Sequence, residues 1–339
     1  MPELRRNIVT DEWVIIATER VKRPEDFSDK NKNVDNSNGL SYKENCPFCK
    51  GNEALTPPEI YTIRKDADDI STWEIRVVPN KFPALTSEGE NTRTTIGIYE
   101  IMSGVGEHEV IIETSEHDKN PALLDEKAVS VIVDTYVKRY KDISQKTDIK
   151  YVQIFRNHGK IAGASLEHPH SQIIATPVIP DIVQRKFDIA KRYYENTCKC
   201  IMCDVISEEK RDTRRIIFEN EDFLVFEPFA SKVPFETWIV PKRHDLTFEH
   251  INGLETKSLG HVLSKTLRAI YKGLSDPAYN MVICTLPTDQ TKENYYMHWY
   301  IQIIPRLTIK AGFEMGTGIY INVTTPEDTA YFLRCNIEK

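Results

Sequence analysis

The sequence predicts an α+β protein with antiparallel sheets and flanking helices, built from a duplicated unit. Two observations carry this prediction. Three chemical landmarks recur in the same order in both halves of the chain, and each half reads as strands, one substantial helix and further strands. A length of 339 residues corresponds to about two domains. We therefore expect one unit over residues 1–195 and a second over residues 196–339.

The landmarks are a Cys-x-x-Cys pair, a strand-like segment that ends in His-Asp, and a strand-like segment that begins with histidine. They read Cys46-Pro-Phe-Cys49 and Cys200-Ile-Met-Cys203, EVIIETSEHD (109–118) and ETWIVPKRHD (236–245), and HPHSQII (168–174) and HWYIQII (298–304). Three landmarks in one shared order are hard to obtain by chance, so we infer a duplication.

Strands are predicted where β-branched and aromatic residues cluster with partial alternation. These segments are EWVIIATE, WEIRVVPN, EHEVIIET and KYVQIFRN in the first half, and RRIIFEN, FLVFEPF, ETWIVP, YNMVIC and HWYIQII in the second. Apolar residues recur at helical spacing over 129–143, and residues 255–275 also read as a helix. Thr325 followed by Pro326 predicts the start of a final helix, because proline fits the first helical position.

Three further segments are interpreted as connections. Residues 25–45 and 196–214 are polar and charged, which favours mobile chain over packed structure. The second of them contains a Cys-x-x-Cys pair, so a bound metal would order it. The glycine-rich stretch 312–318 reads as a bulged hairpin between strands.

Composition excludes several classes of protein. The chain has 44 basic and 51 acidic residues and a net charge of −7, which gives no general attraction to nucleic acid or to an anionic membrane. No uncharged apolar run approaches the roughly 18 residues of a membrane span. Asp11 and Glu12 interrupt the N-terminal apolar run, and that segment lacks the features of a signal peptide. We expect a cytoplasmic protein.

The seven cysteines are an odd number, which argues against a fully paired disulfide framework. A Cys-x-x-Cys pair with two histidines forms a tetrahedral Cys₂His₂ zinc site, and four protein ligands make such a site structural. The duplication selects the histidines, since only His117 and His168 have counterparts in the second half. Two zinc sites are therefore predicted, at Cys46, Cys49, His117 and His168, and at Cys200, Cys203, His244 and His298. The alternative is a pair of chance or redox Cys-x-x-Cys motifs.

The segment Glu167-His-Pro-His-Ser-Gln172 is the candidate for chemistry. Pro169 disfavours a helix at His168, and along an extended chain His168, His170 and Gln172 share one face. The small-residue loop 157–165 just upstream is able to bring backbone N–H groups close to an anion. This pattern suggests that a histidine attacks phosphorus while the glutamine donates to a non-bridging oxygen. The alternative is two unrelated histidines at a strand edge.

The second half departs from the first at the candidate nucleophile. Tyr300 stands in the place of His170, whereas Gln302 keeps the place of Gln172. A tyrosine has a pKa of about 10 and is a poor nucleophile near pH 7. We therefore expect the first half to be catalytic and the second to be a structural half that has lost the chemistry.

Together, the His168-Pro-His-Ser-Gln172 motif, the loop before it and the duplication resemble the galactose-1-phosphate uridylyltransferase family of the histidine triad superfamily. The resemblance runs from DEWVIIATERVKRP, beginning at Asp11, to the final helix, and it implies a duplicated histidine-triad-like fold. It also implies that a UMP group moves from UDP-glucose to galactose 1-phosphate by a ping-pong reaction through a covalent nucleotidyl-histidine, with no organic cofactor. The nucleophile maps to His170 and the supporting glutamine to Gln172.

The resemblance further implies a set of substrate contacts and a homodimer. The phosphate and nucleoside contacts map to Asn80, Asn157, Gly163, Ala164 and Ser165. The family supplies other contacts across a dimer interface, and these map to Arg20, Arg23, Lys310, Phe313 and Glu314. The basic loop that holds Arg20 and Arg23 reads from its residues alone either as a diphosphate contact or as a solvated charge run.

Two departures point to a related family, the ADP-glucose phosphorylases. Some uridylyltransferases carry an iron site with a glutamate and histidines, but here Lys186 and Tyr300 occupy two of those positions, so a second zinc is expected instead. The stretch after Glu314 also lacks the glutamine that the family uses on the hexose. The resemblance to ADP-glucose phosphorylases implies two zinc ions and transfer of AMP to inorganic phosphate, which is the alternative function.

Two other classes of protein share some of these features. A zinc-dependent nucleic-acid-binding module would explain the cysteine pairs, but the net charge of −7 opposes it. A histidine triad nucleotide hydrolase would share His170 and differs in admitting water to the covalent intermediate.

Overall fold

The structure is a computed structural model that describes residues 1–17, 24–27, 40–66, 68–69, 72–288 and 296–337. Its strands are β1 Glu3–Asn7, β2 Glu12–Ile16, β3 Tyr61–Arg64, β4 Trp73–Pro79, β5 Arg93–Ile96, β6 Tyr99–Met102, β7 Glu107–Ile112, β8 Tyr151–His158, β9 His170–Thr176, β10 Ile216–Glu219, β11 Phe223–Phe226, β12 Thr237–Pro241, β13 Tyr279–Cys284, β14 Tyr300–Pro305 and β15 Tyr320–Asn322. Its helices are α1 Glu126–Ser144, α2 Asp181–Thr197, α3 Ile201–Asp212, α4 Gly253–Leu274, α5 Gly312–Thr317 and α6 Pro326–Ile337.

Ten strands form one antiparallel sheet in the order β10-β11-β12-β14-β13-β8-β9-β7-β4-β3. This order reads the same from both edges once each strand of one half is matched to its counterpart in the other, with β8 matching β13 and β9 matching β14. The two sets of five strands meet where β8 pairs with β13. The predicted α+β fold with antiparallel sheets is confirmed, and the duplication appears as this symmetric strand order.

The beginning and the end of the chain share a smaller sheet. Strand β2 pairs with β1 on one side and, in parallel, with β15 on the other. Strands β5 and β6 form a separate exposed hairpin. The division of the chain at residues 195 and 196 falls within α2 and stays a prediction.

Helices α1 and α4 lie side by side on one face of the large sheet and bury its main core. Each begins at a side-chain cap: Asp125 accepts from the N–H of Ala128, and Asn252 forms a capping box with Glu255. The helices approach so closely that a Cβ on Gly260 would lie 2.2 Å from the Ser130 hydroxyl, which explains a glycine in mid-helix. None of the helices in the described ranges has the length and apolarity to cross a membrane.

The opposite face of the sheet carries two smaller apolar clusters, one in each half. The first packs Phe48 and its two flanking cysteines against Val110 and Ile112 of β7. The second packs helices α2 and α3 against Trp238 and Tyr300. Both Cys-x-x-Cys pairs therefore lie on the face of the sheet that α1 and α4 leave free.

The predicted strands and the helices over 129–143 and 255–275 are confirmed, as is the helix start at Pro326. Two interpretations were wrong. The stretch 196–214 contains helix α3, because its apolar residues recur at helical spacing and are buried against β11 and β12. The glycine-rich stretch 312–318 forms α5, which ends at Gly318 with a positive φ of 73°, rather than a hairpin. Of the other connection, residues 28–39 lie outside the described residues.

Candidate active site

The four side chains of the first predicted metal site converge at the end of β7 and the start of β9. One ligand atom from each of Cys46, Cys49, His117 and His168 lies within 4.8 Å of all the others, and all four residues are buried. Cys49 Sγ is 3.3 Å from Nδ1 of His117 and 3.6 Å from Nδ1 of His168. Tetrahedral zinc with ordinary bond lengths separates sulfur and nitrogen ligands by about 3.6 Å. These residues therefore fit a zinc ion without rearrangement.

The surroundings of the first cluster prepare its histidines to be ligands. His168 Nε2 donates to the carbonyl of Thr114 at 2.8 Å, which leaves Nδ1 unprotonated and facing the cysteines. Burial lowers the pKa of His168 to about 4, so the ring is neutral at neutral pH. Glu167 lies 3.7 Å from Nε2 of His117 and supports the second ring from the solvent side.

His170 begins strand β9, and its tautomer is set by one contact. Nδ1 lies 2.8 Å from the carbonyl oxygen of His168, and because a carbonyl only accepts, Nδ1 carries the proton. Nε2 then keeps a lone pair. Burial lowers the pKa of His170, which favours the neutral ring. Phe48, between the two cysteines, packs edge-on against His170 with ring centroids 5.4 Å apart.

The side chain next to His170 points to the other face of the sheet. Ser171 donates to Glu113 at 2.5 Å, and Tyr136 of α1 donates to the same carboxylate at 2.9 Å. The second oxygen of Glu113 accepts from Arg156 at 3.0 Å. This fully buried network ties β8, β9 and α1 together directly behind His170 and confirms that the strand alternates as expected.

Gln172 shares the face of His170, and its amide oxygen lies 2.8 Å from Nε2 of His108. The amide nitrogen of Asn80 is 3.5 Å from the same oxygen and 3.0 Å from His108 Nε2. In the sequence His108 is one of several histidines that follow the first cysteine pair, and no motif singles it out. Its proximity to Gln172 depends on the register between β7 and β9, which the sequence pattern does not reveal.

The predicted phosphate loop lies between β8 and β9, beside the second half of the molecule. Gly163 adopts a positive φ of 91°, which favours glycine. The N–H groups of Gly163 and Ala164 bond to carbonyls within the loop, whereas Ser165 is exposed. Asn157 accepts from Asn280 at 2.8 Å, so a strand of the second half supports the loop.

The second cluster repeats the first with small differences. Cys200, Cys203, His244 and His298 bring their ligand atoms within 4.8 Å of one another. Cys203 Sγ is 3.5 Å from Nδ1 of His244 and 3.7 Å from Nδ1 of His298. His298 Nε2 donates to the carbonyl of Pro241 at 2.8 Å, as His168 does to Thr114. These four residues also fit tetrahedral zinc.

Apart from its four candidate metal ligands, the second half differs from the first at the positions that match His170 and Gln172. Tyr300 is buried at the position of His170, its hydroxyl accepts from Lys186 at 2.9 Å, and Lys186 also lies 3.5 Å from Cys284 Sγ. Burial raises the pKa of Tyr300 well above its usual value. The amide nitrogen of Gln302 donates to Glu236 at 2.7 Å.

Three of the residues that the resemblance assigned to a dimer interface, Lys310, Phe313 and Glu314, lie in the second half of the chain. Lys310 and Glu314 line a cavity of about 350 Å³ next to Gln302 and Glu236 in the second half. Phe313 is 46% exposed on α5. Arg20 and Arg23 lie outside the described residues.

Comparison with known proteins places this geometry in a family. Residues 1–180 match the N-terminal domain of galactose-1-phosphate uridyl transferase, and residues 106–334 match a domain of unknown function, DUF4921. The chain is 39% identical over 336 residues to the ADP-glucose phosphorylase of Arabidopsis thaliana, covering 98% of this chain and 92% of that protein. It is 33% identical over 343 residues to the galactose-1-phosphate uridylyltransferase of Thermotoga maritima, covering 98% of both.

The fold comparison agrees. A crystal structure of an ADP-glucose phosphorylase from Arabidopsis thaliana with bound ADP-glucose matches with a TM-score of 0.82, 36% identity and 98% coverage of both chains. The fold and the site thus define an enzyme of the class that includes uridylyltransferases and ADP-glucose phosphorylase. The chain belongs to the galactose-1-phosphate uridylyltransferase family.

Proposed function

We propose that this enzyme transfers a nucleoside monophosphate from a nucleoside diphosphate hexose through a covalent intermediate on His170. The observation that carries the proposal is the tautomer of His170. Its Nδ1–H is held by the His168 carbonyl, and a neutral Nε2 lone pair remains for attack on phosphorus. Residues 1–195 act as the catalytic half and residues 196–339 as the structural half.

The reaction proceeds in two balanced displacements. Nε2 of His170 attacks the α-phosphorus, an N–P bond forms, and the P–O bond to the departing hexose 1-phosphate breaks. In the cationic phosphoimidazolium the proton stays on Nδ1, which donates to the carbonyl oxygen of His168. An oxygen of the acceptor then attacks the same phosphorus and the N–P bond breaks, which restores the neutral ring. Gln172 donates to a non-bridging oxygen while charge develops there.

The two Cys₂His₂ clusters would each hold a zinc ion in a structural role. Four protein ligands leave no open position for substrate, so a bound ion supplies rigidity rather than chemistry. In the first half that rigidity reaches the nucleophile directly, since His168 is both a ligand and the residue whose carbonyl holds His170.

Two substrate pairs are candidates. Transfer of AMP from ADP-glucose to phosphate is favoured by the greater similarity to the Arabidopsis ADP-glucose phosphorylase and by the second Cys₂His₂ cluster. Transfer of UMP from UDP-glucose to galactose 1-phosphate, which the sequence put first, is favoured by the family model and by the Thermotoga relative. We favour the adenylyl reaction, and a shared covalent mechanism underlies both.

The deciding experiment loads the enzyme with ADP-glucose or UDP-glucose labelled at the α-phosphorus and removes the donor. We expect an acid-labile, base-stable label on His170 that phosphate discharges. Discharge of a uridylyl group by galactose 1-phosphate would reverse the substrate assignment and leave the mechanism intact. Rapid discharge by water alone would instead indicate a hydrolase.

We also propose that the active enzyme is a homodimer. Lys310, Phe313 and Glu314 are the positions that the family resemblance assigns to the partner's site, and in one chain they lie in the second half. A twofold arrangement would let each chain supply them to the His170 of its partner.

A further inference from the structure

The tautomer of His108 follows from the backbone donor that faces its Nδ1. Nδ1 of His108 lies 3.0 Å from the backbone nitrogen of Ala84, which is a donor, so Nδ1 accepts. A neutral ring then carries its proton on Nε2, and that atom lies 2.8 Å from the amide oxygen of Gln172. Nδ2 of Asn80 lies 3.0 Å from Nε2 of His108 and 3.5 Å from the same oxygen, and because an amide NH₂ group only donates, its hydrogen bond goes to the oxygen. The oxygen of Gln172 is thus occupied, and its NH₂ group remains to donate.

The second half holds an internal comparison at the equivalent strand position. Val110 of β7 lies opposite Gln172, and Trp238 of β12 lies opposite Gln302. Two residues before these come His108 and Glu236, each on the same face and diagonal to its glutamine. Where the first half has a donor, the second has a carboxylate, and Glu236 accepts from the NH₂ group of Gln302. The two glutamine amides therefore point in opposite directions.

We propose that His108 is a positioning residue that fixes the polarity of the Gln172 amide, so that Gln172 presents N–H rather than C=O to the transferred phosphoryl group. The inference rests on the proposed nucleotidyl transfer and assigns to it a residue outside the histidine–glutamine motif. An amide rotated by half a turn would direct its oxygen at an anionic phosphoryl group and repel it. A donor at the strand position of His108 binds the oxygen of the glutamine amide, whereas an acceptor there binds its nitrogen. The residue at that position therefore sets the orientation of the amide.

Two substitutions separate polarity from size. His108→Gln keeps an N–H donor able to reach the oxygen of Gln172. His108→Glu offers only acceptor atoms and reproduces the arrangement of Glu236 in the second half. We expect the rate of covalent labelling in a single turnover to stay within several-fold for His108→Gln. For His108→Glu it should fall by about the 10²-fold or more that loss of one transition-state donor causes. The double variant His108→Glu/Gln172→Ala should be no slower than Gln172→Ala alone.

A second measurement reports whether the Gln172 N–H donates to the phosphoryl group. With α-thio donors, sulfur replaces one of the two non-bridging oxygens, and the wild-type enzyme should prefer the diastereomer that keeps oxygen at the Gln172 N–H. The preference should persist in His108→Gln and collapse in both His108→Glu and Gln172→Ala. A preference that persists in His108→Glu, or equal losses in His108→Gln and His108→Glu, would overturn the inference.

A measurement on the unsubstituted protein guards against misfolded variants. Nitrogen-15 NMR of the imidazoles should show His108 with its proton on Nε2, and a proton on Nδ1 would overturn the inference without any variant. If the wild-type enzyme takes no covalent label from either donor, the proposed function fails and this inference fails with it. If the wild type is labelled but His108→Gln and His108→Glu show the same labelling rate and the same diastereomer preference, only the inference fails.

Discussion

At the scale of single residues, the position of His168 links metal ligation to chemistry. Its Nδ1 faces the two cysteines, and its carbonyl oxygen accepts the hydrogen bond from Nδ1–H of His170, the first residue of β9. A change of the first cluster therefore moves the hydrogen-bond acceptor of the nucleophile. Phe48, which lies between Cys46 and Cys49, packs edge-on against the His170 ring and limits its rotation.

The first prediction concerns His170. His170→Ala should abolish covalent labelling, because no other nucleophile occupies that position, while zinc content and the circular dichroism spectrum stay unchanged. His170→Gly with added imidazole should form the nucleoside phosphorimidazolide in solution, since the substitution leaves room for a free ring. Label retained on His170→Ala would contradict the assignment.

The second prediction concerns the counterpart of His170. Tyr300→Phe removes the hydroxyl that accepts from Lys186 but keeps the ring packed on Trp238, whose centroid is 4.5 Å away. We expect steady-state turnover within several-fold of wild type and a stability loss of about 1 kcal/mol. A fall in turnover of about 10³-fold, the scale of a key catalytic group, would show that the second half takes part in the reaction.

At the scale of elements, Glu113 fastens the strand that carries the nucleophile. It lies just after β7, and its carboxylate accepts from Ser171 of β9, Tyr136 of α1 and Arg156 of β8. Arg156 donates in addition to Tyr279 of β13 at 2.9 Å, which extends the network into the second half. A buried network of this kind holds position because each member is satisfied by the others.

The third prediction follows from that network. Glu113→Gln leaves the buried Arg156 guanidinium without its counter-charge, and breaking a buried pair costs about 3 kcal/mol or more. Urea unfolding should show this loss. Glu100→Gln is a suitable control, because it breaks the exposed pair with Arg93 on the β5–β6 hairpin and should cost well under about 1 kcal/mol. Equal losses of stability from the two substitutions would argue against a stabilising role for the Glu113 network.

The elements also show what the sequence is able to predict. Strands such as β7 and β14 and helices α1 and α4 carry regular apolar patterns, so pattern alone identifies them. Helix α3 is hard to predict because its polar face dominates a short segment that contains a cysteine of the second pair. Helix α5 is hard to predict because it has only six residues, two of them glycines. Motif and repeat identify His170 and Gln172 as candidates, and they select the two sets of four residues that the structure brings together. His108 was not recognisable as a neighbour of Gln172, since that contact requires the strand register.

At the scale of the whole molecule, the two clusters occupy equivalent places in a symmetric sheet. Each cluster joins a Cys-x-x-Cys pair to the segment after one strand and to the segment before another. These strands are β7 and β9 in the first half and β12 and β14 in the second. A zinc ion at each place would fasten a segment that packs on the outer face of the sheet. Binding of such an ion contributes directly to folding.

The fourth prediction is that the protein contains about two zinc ions per chain. Cys46→Ser should remove one ion and lower the melting temperature, because a structural site contributes folding energy. Cys198→Ser changes an exposed cysteine near the Cys200–Cys203 pair and should leave both ions and the melting temperature unchanged. One zinc ion in the wild-type protein, or full stability after complete chelation, would contradict the prediction.

The fifth prediction tests whether the active site is shared between chains. His170→Ala and Lys310→Ala are each expected to be inactive alone. After the two are mixed and allowed to exchange subunits, about a quarter of wild-type activity should return, because half the dimers are mixed and one of their two sites is intact. Activity that stays at zero in mixed dimers would indicate that each chain uses its own Lys310.

The pairing of β8 with β13 has a consequence for the order of folding. Asn157 and Asn280 meet across this seam although they are 123 positions apart in sequence. Helix α1 and the five strands that the first half gives to the large sheet can form as soon as they are synthesised. Until α4 and β13 leave the ribosome, however, β8 has an unpaired edge and α1 lacks its neighbouring helix. Contacts of such long sequence separation slow folding. The interval before the seam closes is therefore when a nascent chain is most exposed to pairing with the wrong strand.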